Sequence, residues 1–392
     1  MGSNINVDYI IIGGGIFGCS LAYNLVNQGA KNIVVLEMGE ICSGGTSKSC
    51  AISRSHYTIE SNVQHAVESI KIFENFDEII GGDPGYNRTG QIVIGPEKYR
   101  EVMQGVFLTQ NKFGSKTQTL TREDTIKIHP LLKLDDADVI GFEHQSGYCD
   151  PYLATNAYAK RAKDLGVKFY KNSKVIDILE KGKTKYLKTI KGNFESPNLI
   201  FAAGPWTKNL GKMIGIKFPI DISNHKVLSL KIETPYKKTW PIVKDLLTPE
   251  KIYFRPESGG LVLVGTGDHG DPVKNVDAVD ENVGIDHVER IGKLMAFRMP
   301  VFENAKLVKS WTGMYDITPD WNPIIGAVPD QNGVFVGVGF SGHGFKSAPT
   351  MSESLAQLII GNDPRIPIGM YDMSRFECGK TLNGSYGIGT FA

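Results

Sequence analysis

The most constraining feature of this chain is a run of glycines between a short apolar segment and an amphipathic one. Tyr9–Ile12 is apolar and rich in β-branched residues, which predicts a buried parallel strand, and the residues after it read GGGIFG. Gly13, Gly15 and Gly18 fit the GxGxxG spacing. In that motif the first glycine permits a tight turn, the second lets the backbone approach a pyrophosphate, and the third allows close contact between helix and strand. Residues 16–28 predict a helix whose N-terminus would stabilise phosphates.

An acidic residue completes this unit. Glu37 follows a second apolar run, residues 32–36, and stands 19 positions after Gly18. A carboxylate at that place can accept both ribose hydroxyls and repels a 2′-phosphate. Strand, helix and Glu37 together predict a dinucleotide-binding βαβ unit, with a purely structural βαβ unit as the alternative.

Composition excludes several other classes of protein. The 392 residues are 41% hydrophobic and 22% charged, which is typical of an ordinary globular chain with two domains. A net charge of +1 gives no field that would attract nucleic acid or anionic lipid. HExxH, zinc-type Cys/His spacing and GxSxG are absent from the sequence, so no metal or acyl-transfer site is expected.

Cysteine usage and the N-terminus bear on localisation. Five cysteines without a CxxC pair indicate free thiols in a reducing compartment. The first residues lack the basic region of a secretory signal, and no apolar run approaches the ~18 residues of a membrane span. We therefore expect a cytoplasmic protein.

Periodicity along the chain predicts the other elements. Helices are expected at 62–80, 152–166, 284–297 and from about Ala348 to Ile360, strands at 89–95 and 334–339, and antiparallel strands over 226–270. We predict an α/β fold in which a discontinuous Rossmann-type domain (1–80, 141–220 and 311–392) is joined to an α+β substrate domain. The second domain, residues 81–140 and 221–310, is expected to hold a mostly antiparallel sheet.

Two further stretches favour FAD over NAD. The run SPNLIFAAGPWT (196–207) ends in small residues, as a strand needs where its tip passes a bulky cofactor. The loop GVGFSGHGFKSAP (337–349) returns late in the chain, which an NAD domain does not need. It looks like a Walker loop, but Gly344 stands two residues before Lys346 instead of one, so ATP binding is not indicated. An NAD-dependent dehydrogenase stays an alternative.

Several motifs spread over nearly the whole chain carry a family resemblance. They are IIIGGGIFG…VVLE, GGTSKSCAISRSHY, TGQIVIG, DPYLATNAYAKRAKDLGV, LIFAAGPWT, SWTGMYDITPDWNPIIG, VGFSGHGFKSAPTMSESLAQLI and YDMSRFECGK. With them the chain resembles the FAD-dependent amine and amino-acid oxidoreductases of the D-amino-acid oxidase type. Within that superfamily it is similar to monomeric sarcosine oxidase and to the beta subunits of sarcosine oxidase and proline dehydrogenase.

The resemblance implies FAD-dependent oxidation of a small amino acid, with a secondary amine such as sarcosine or proline as the first candidate. A hydride would pass to flavin N5, and the imine product would hydrolyse in water. The residues that the resemblance assigns to FAD are Gly13, Gly15, Ile16, Phe17, Gly18, Glu37, Met38, Gly45, Thr46, Ser47, Val175, Ala203, Gly204, Trp206, Gly342, His343, Gly344, Phe345 and Lys346.

For the substrate, the resemblance assigns a pair of cations and a group of rings. Arg54 and Lys346 match the cations that bind the amino-acid carboxylate, the alternatives being a structural ion pair and a solvated lysine. Tyr253 and Tyr315 match residues that wall the substrate, although either can be an ordinary core aromatic. His269 is a candidate base or charge modulator, but its offset from the preceding strand departs from that of the family histidine.

Two departures from the family pattern have consequences. Gly313 stands where monomeric sarcosine oxidases carry the cysteine that links the flavin, so FAD should be held non-covalently. The lysine that activates oxygen in those enzymes falls near Leu263, which leaves oxidase and dehydrogenase activity both open. Three assemblies also stay open: a self-contained flavoenzyme, a catalytic subunit that passes electrons to a partner subunit, and a binding subunit without turnover. Arg54 and Lys346 speak against the last of these.

Overall fold

The computed structural model describes residues 4–232, 239–387 and 389. Residues 233–238 belong to the stretch predicted as antiparallel strands and lie outside the described residues. The same holds for residues 1–3, 388 and 390–392, which belong to the first and third segments of the predicted FAD-binding domain.

The α-helices of the described residues pack on the sheets and on one another. They are α1 (Ile16–Asn27), α2 (Glu60–Glu74), α3 (Phe76–Ile79), α4 (Arg100–Lys112), α5 (Arg122–Ile128), α6 (Pro151–Asp164), α7 (Thr207–Lys212), α8 (Ile285–Arg298) and α9 (Gly344–Ile359). Among these helices, none has the length and apolar character needed to cross a bilayer.

The strands of the described residues belong to four sheets. They are β1 (Ile5–Asn6), β2 (Tyr9–Ile12), β3 (Ile33–Leu36), β4 (Ile52–Ser53), β5 (Asn87–Arg88), β6 (Gln91–Gly95), β7 (Thr117–Thr119), β8 (Val139–Glu143), β9 (Gly147–Tyr148), β10 (Lys168–Tyr170), β11 (Val175–Lys181), β12 (Thr184–Thr189), β13 (Gly192–Ser196), β14 (Asn198–Phe201), β15 (Asp221–Lys231), β16 (Ile242–Asp245), β17 (Tyr253–Glu257), β18 (Leu261–Gly265), β19 (Asp271–Pro272), β20 (Lys306–Ile317), β21 (Ile324–Ala327) and β22 (Val334–Val338).

The first large sheet has the order β10-β3-β2-β14-β22-β21 and is parallel except for β21. Its strands read as continuous apolar runs because both faces are buried. Ile11 packs on one side with α1 and α9, whereas Ile10 and Ile12 pack on the other side with the small sheet β1-β13-β12-β11. The sheet takes its strands from all three segments predicted for the FAD-binding domain. The predicted Rossmann-type fold class is confirmed, and the domain boundaries stay a prediction.

The second large sheet is mostly antiparallel, as predicted. Its path runs β19-β15-β18-β17-β16-β6-β8-β7, with β20 also pairing along β15, and only the β16–β6 pair is parallel. Leu228 and Leu230 of β15 pack with α8, while Val227 points to the other side, beside Cys50 and Leu263. Because strand side chains alternate, one face of this sheet is left to line a cavity.

Two helices differ from the sequence prediction. The helix expected over 62–80 is broken at Asn75, whose φ of −115° and ψ of 31° lie outside the helical region. The last helix begins at Gly344, four residues before the predicted start, although Pro349 lies within it. A proline costs this helix one hydrogen bond, and burial of its face against α1 and α2 offsets that loss. Lys346 therefore lies in the first turn of α9.

Candidate functional site

The glycine turn after β2 opens a cleft at the carboxyl edge of the parallel sheet. Gly13 has a φ of +116°, and a Cβ there would collide with the carbonyl oxygen of Ala202, at the end of β14. A Cβ at Gly18 would collide with the carbonyl oxygen of Gly13, so α1 can approach the strand only because both residues are glycine. Gly15 precedes α1 without a side-chain cap, and the first turn holds no acidic residue. The Thr46 hydroxyl accepts the N–H of Ile16 at 3.1 Å, and an anion at this helix N-terminus would accept from the other N–H groups of the first turn.

Glu37 is held rigidly beside this turn. Its Oε2 accepts the N–H of Gly14 at 2.7 Å, and its Oε1 accepts the N–H of Gly39 at 2.7 Å. The side chain is buried and lines the cleft next to Met38. Both carboxylate oxygens keep a further lone pair, so the group can still accept ribose hydroxyls.

The cleft has a volume of about 320 Å³ and receives most of the residues that were predicted to bind FAD. Those in its lining are Gly13, Gly15, Ile16, Phe17, Glu37, Met38, Gly45, Thr46, Val175, Ala203, Gly204, Trp206, Gly342, Gly344 and Phe345. Gly18 and Ser47 lie behind the lining, where the Ser47 hydroxyl donates to the carbonyl of Gly44. His343 and Lys346 line a neighbouring cavity instead.

The chemistry of the cleft fits a dinucleotide. Phosphates would meet the N-terminus of α1, and a ribose would meet Glu37. Side chains at Gly14 and Gly15 would crowd Ile41 and Thr46, so both glycines keep the backbone open to the cleft. A volume of about 320 Å³ lies within the usual range of ligand pockets, roughly 300–1,000 Å³.

The late glycine loop is anchored on β20 and reaches the cleft from the other side. Asp316 accepts the N–H of Gly339 at 2.7 Å through Oδ2, and its carbonyl accepts the N–H of Ser341 at 3.0 Å. Burial raises the pKa of Asp316 to about 6. Gly342 has a φ of +84°, and a Cβ there would collide with the ring of Tyr315. The glycine therefore lets the loop pass directly over that ring.

A smaller cavity of about 110 Å³ adjoins the cleft and brings the predicted substrate residues together. Arg54, Lys346, Tyr253 and Tyr315 all line it, although they come from distant parts of the chain. The two tyrosines line both spaces, so the small cavity meets the cleft along their rings.

Arg54 and Lys346 are held in place as a cationic pair. Nη1 of Arg54 donates to the carbonyl of His56 at 2.5 Å, and its guanidinium lies 4.6 Å from the centre of the Tyr57 ring. Lys346 is 7% exposed, which removes the alternative of a solvated lysine. Burial lowers the pKa of Lys346 well below its usual range, and the charge of Arg54 adds to that effect. An anion bound between them would stabilise both charges.

Tyr253 and Tyr315 form a hydrogen-bonded pair at the meeting of the two spaces. Burial raises the pKa of Tyr315 to about 12 and that of Tyr253 well above its usual value. Both hydroxyls are therefore neutral and can donate or accept a hydrogen bond.

The structure separates the two histidines of this region. His269, the predicted base, is exposed on a loop, packs edge-on against Trp321 at 5.2 Å, and lies outside the described linings of both cavities. His225 lines the cleft, is 5% exposed, and has Nε2 at 2.7 Å from the Ser223 hydroxyl. Its Nδ1 is buried without a hydrogen-bond partner, and burial lowers its pKa to about 4. Sequence reasoning left His225 without a role. Because Ser223 and His225 are two residues apart in one strand, both side chains leave it on the same face, and this pattern could have indicated a role for His225.

Lys244 and Gln91 were missed by sequence reasoning, and both line the small cavity. Each is a polar residue in an otherwise apolar strand, IVKD for Lys244 and QIVIG for Gln91. A polar residue in an otherwise buried strand is a candidate for lining a cavity, and this pattern could have identified both residues from the sequence.

The structure also locates Gly313 and Leu263, the two positions on which the predictions about flavin attachment and oxygen activation rest. Gly313 lines the cleft, and a Cβ there would lie 3.0 Å from the Cβ of Lys48. Leu263 is buried beside Cys50 and Val227 and is outside the described linings of both cavities.

Comparison with known proteins identifies the family. The model of the family described as "FAD dependent oxidoreductase" (DAO) matches residues 8–358. Sarcosine oxidase subunit beta from Arthrobacter sp. is 24% identical over 385 residues, which cover 96% of this chain and 92% of that protein. The mouse mitochondrial pyruvate dehydrogenase phosphatase regulatory subunit is 26% identical over 381 residues, which cover 94% of this chain but only 43% of that protein.

A solved structure supports the same assignment. The crystal structure of L-proline dehydrogenase from P. horikoshii superposes with a TM-score of 0.89 and 27% identity, covering 97% of this chain and 100% of that chain. The overall fold of this chain is thus that of a known oxidoreductase structure. Since the family model matches most of the sequence, this chain belongs to the FAD-dependent oxidoreductase family.

Proposed function

We propose that this protein oxidises a small amino acid next to its nitrogen, with a secondary amine such as sarcosine or proline as the first candidate. The observation that carries the proposal is the small cavity in which Arg54 and Lys346 meet, beside the dinucleotide cleft. A cavity of about 110 Å³ with two cations suits a small carboxylate ligand and has no place for a large one.

When bound, FAD would supply the acceptor for the hydride that leaves the carbon next to the amine, and the imine product would hydrolyse in water. Glu37 and the glycine turn would hold the cofactor in the cleft. Arg54 and Lys346 would bind the substrate carboxylate and so fix which carbon faces the cleft. Tyr253 and Tyr315 would exclude water and offer neutral hydroxyls to the amine.

Non-covalent binding of FAD is part of the proposal. Gly313 offers no thiol at the position where the related monomeric enzymes attach the flavin. The cysteine that does line the cleft, Cys50, has a thiol whose pKa is raised by burial. A thiol kept protonated in this way is a poor nucleophile.

A second candidate is a catalytic subunit that passes electrons to a partner subunit. Two observations favour it: the Arthrobacter relative is itself named as a subunit, and Leu263 offers no ammonium for oxygen activation. A subunit without turnover is the third reading, since the mouse relative is named a regulatory subunit. The burial of Lys346 beside Arg54 speaks against it, because a protein without a carboxylate ligand gains nothing from a buried ammonium next to a second, half-buried cation.

Anaerobic reduction of the bound flavin tests these candidates. Sarcosine, proline, glycine, acidic amino acids with their N-methyl derivatives, and larger amines are added to the purified protein, and the loss of flavin absorbance is followed. Bleaching by a small amino acid supports the proposal, and no bleaching by any of them overturns it. Air is then admitted: rapid return of the colour indicates an oxidase, whereas return only with an artificial acceptor favours the partner-dependent candidate.

A further inference from the structure

The small cavity offers more positive charge and more hydrogen-bond donors than one carboxylate uses. Besides Arg54 and Lys346, the Lys244 ammonium and the Gln91 amide line it. Of the lining residues that the structure describes, Asp268 is the only carboxylate. An amino acid whose single carboxylate lies between Arg54 and Lys346 would bring no acceptor of its own to Lys244 and Gln91.

Gln91 carries the clearest sign of a missing acceptor. It begins β6, lies between β16 and β8, and pairs with Ile242 on one side and Glu143 on the other. The residue is 1% exposed, and its Nε2 is buried without a hydrogen-bond partner. A buried donor left unpaired is costly, and such groups usually have a functional explanation. Because Gln91 lines the cavity, an acceptor on a bound ligand would satisfy it.

Lys244 lies on the same face of the sheet. Ile242 stands opposite Gln91, and Lys244 is two residues further along β16, so its side chain leaves in the same direction. Its Nζ donates to the carbonyl of Lys251 at 2.6 Å. A Cβ at Gly267 would collide with this Nζ, so the glycine leaves the space that the ammonium occupies.

The charge of Lys244 can respond to an anion. Burial lowers its pKa to about 7, and the nearby charge of Arg54 acts in the same direction. An anionic group close to Nζ favours the protonated lysine, so binding and charging would reinforce each other.

We propose that the substrate carries two carboxylates. Arg54 and Lys346 bind the one next to the amine, and Lys244 and Gln91 bind the second, on a short side arm. The inference rests on the proposed function, because it concerns the same cavity and the same oxidation. A volume of about 110 Å³ limits the arm to a few carbon atoms. N-methylaspartate fits this description among secondary amines, and aspartate among primary ones.

Binding of unreactive ligands tests the inference without turnover. Succinate and butyrate have the same number of carbon atoms, and neither has an amine to oxidise. Their Kd values are measured on the FAD-containing protein from the change in flavin absorbance. We expect succinate to bind about tenfold more tightly, as a further charge-assisted contact would provide. Equal binding of the two ligands overturns the inference.

Variants assign the preference to the named side chains. Lys244→Met and, independently, Gln91→Leu should weaken succinate binding and leave butyrate binding unchanged, so that loss of folding in one variant does not end the test. The control is Lys226→Met, from β15 of the same sheet, whose ammonium pairs with Asp271 at 2.5 Å outside the described cavity lining. It should keep the preference. A preference for succinate that survives both Lys244→Met and Gln91→Leu overturns the assignment.

Anaerobic reduction separates this inference from the proposed function. Faster reduction by N-methylaspartate than by sarcosine supports a dicarboxylate substrate. Efficient reduction by sarcosine with none by N-methylaspartate overturns the inference and leaves the proposed function standing. A succinate preference in a protein whose flavin no amine reduces supports the dicarboxylate site and overturns the proposed oxidation.

Discussion

The imidazole of His225 and the ring of Tyr315 are stacked, with centroids 3.8 Å apart and planes inclined by 19°. His225 faces the cleft, and Tyr315 lines both the cleft and the small cavity. The two residues come from the paired strands β15 and β20, so the strand register brings them together. The histidine is thus placed to hold the tyrosine against the small cavity, the proposed substrate site.

Removing this stack should loosen the substrate site. We expect His225→Ala to lower kcat/KM about fivefold, because a well-packed aromatic contact contributes about 1 kcal/mol beyond its buried area. Tyr315→Phe keeps the ring and should cost less than Tyr315→Ala in the same steady-state assay. Equal effects of the two Tyr315 variants would show that the hydroxyl, and not the stacked ring, is what matters.

Arg54 and Lys346 should control substrate affinity. Arg54→Met or Lys346→Met is expected to raise KM by roughly 30- to 900-fold, equivalent to about 2–4 kcal/mol for a desolvated charge-assisted contact. FAD content should change little in Arg54→Met. The matched control is Arg88→Met, since Arg88 is exposed and pairs with Glu74 at 3.4 Å. If KM is unchanged in both cation variants, the proposed carboxylate site is wrong.

Glu37 should matter for the cofactor and not for the substrate. A glutamine at this position offers one acceptor oxygen where two are in use, so the N–H of Gly14 or of Gly39 loses its partner. We expect Glu37→Gln to raise the Kd for FAD about tenfold, measured by titrating apoprotein with FAD and following flavin fluorescence. Unchanged affinity for FAD would count against the ribose assignment.

The flavin should leave the protein on denaturation. Because Gly313 provides no thiol for attachment, we expect acid precipitation to release the yellow colour into the supernatant. Colour that stays with the pellet would contradict non-covalent binding and direct attention to Cys50.

Buried neutral histidines should make the fold sensitive to acid. Burial lowers the pKa values of His65 and His129 to about 3, whereas an unfolded histidine titrates near ~6.5. As pH falls below ~6.5, the unfolded chain takes up protons first, so the free energy of unfolding falls by up to about 1.4 kcal/mol per pH unit for each histidine. His129 packs on Trp240 at 4.9 Å, and His129→Phe keeps an aromatic ring there without the titration. Urea unfolding at pH 7, 6 and 5 should show a shallower loss in this variant. An identical slope would mean that the pKa of His129 is not lowered in the folded protein.

The sequence by itself determined the cofactor half of the site. The turn at Gly13, the N-terminus of α1 and Glu37 lie within one short βαβ unit, so their spacing along the chain already sets their spacing in space. The late loop was recognised for a similar reason: its glycines and Lys346 are contiguous. These residues lie close together in the chain, so their arrangement can be predicted from a single sequence.

Family motifs in the sequence named Arg54, Lys346, Tyr253 and Tyr315, and tertiary structure decided the rest of the proposed substrate half. Gln91, Lys244 and His225 reach the cavities because pairing between distant strands sets the face on which each side chain leaves the sheet. A shift of one residue in that pairing would turn all of them to the opposite face. His269 shows the opposite case. It lies close to those strands in the sequence, but it belongs to a loop that carries it outside the described linings of both cavities. Register depends on packing across the whole sheet, and no local pattern in the chain specifies it.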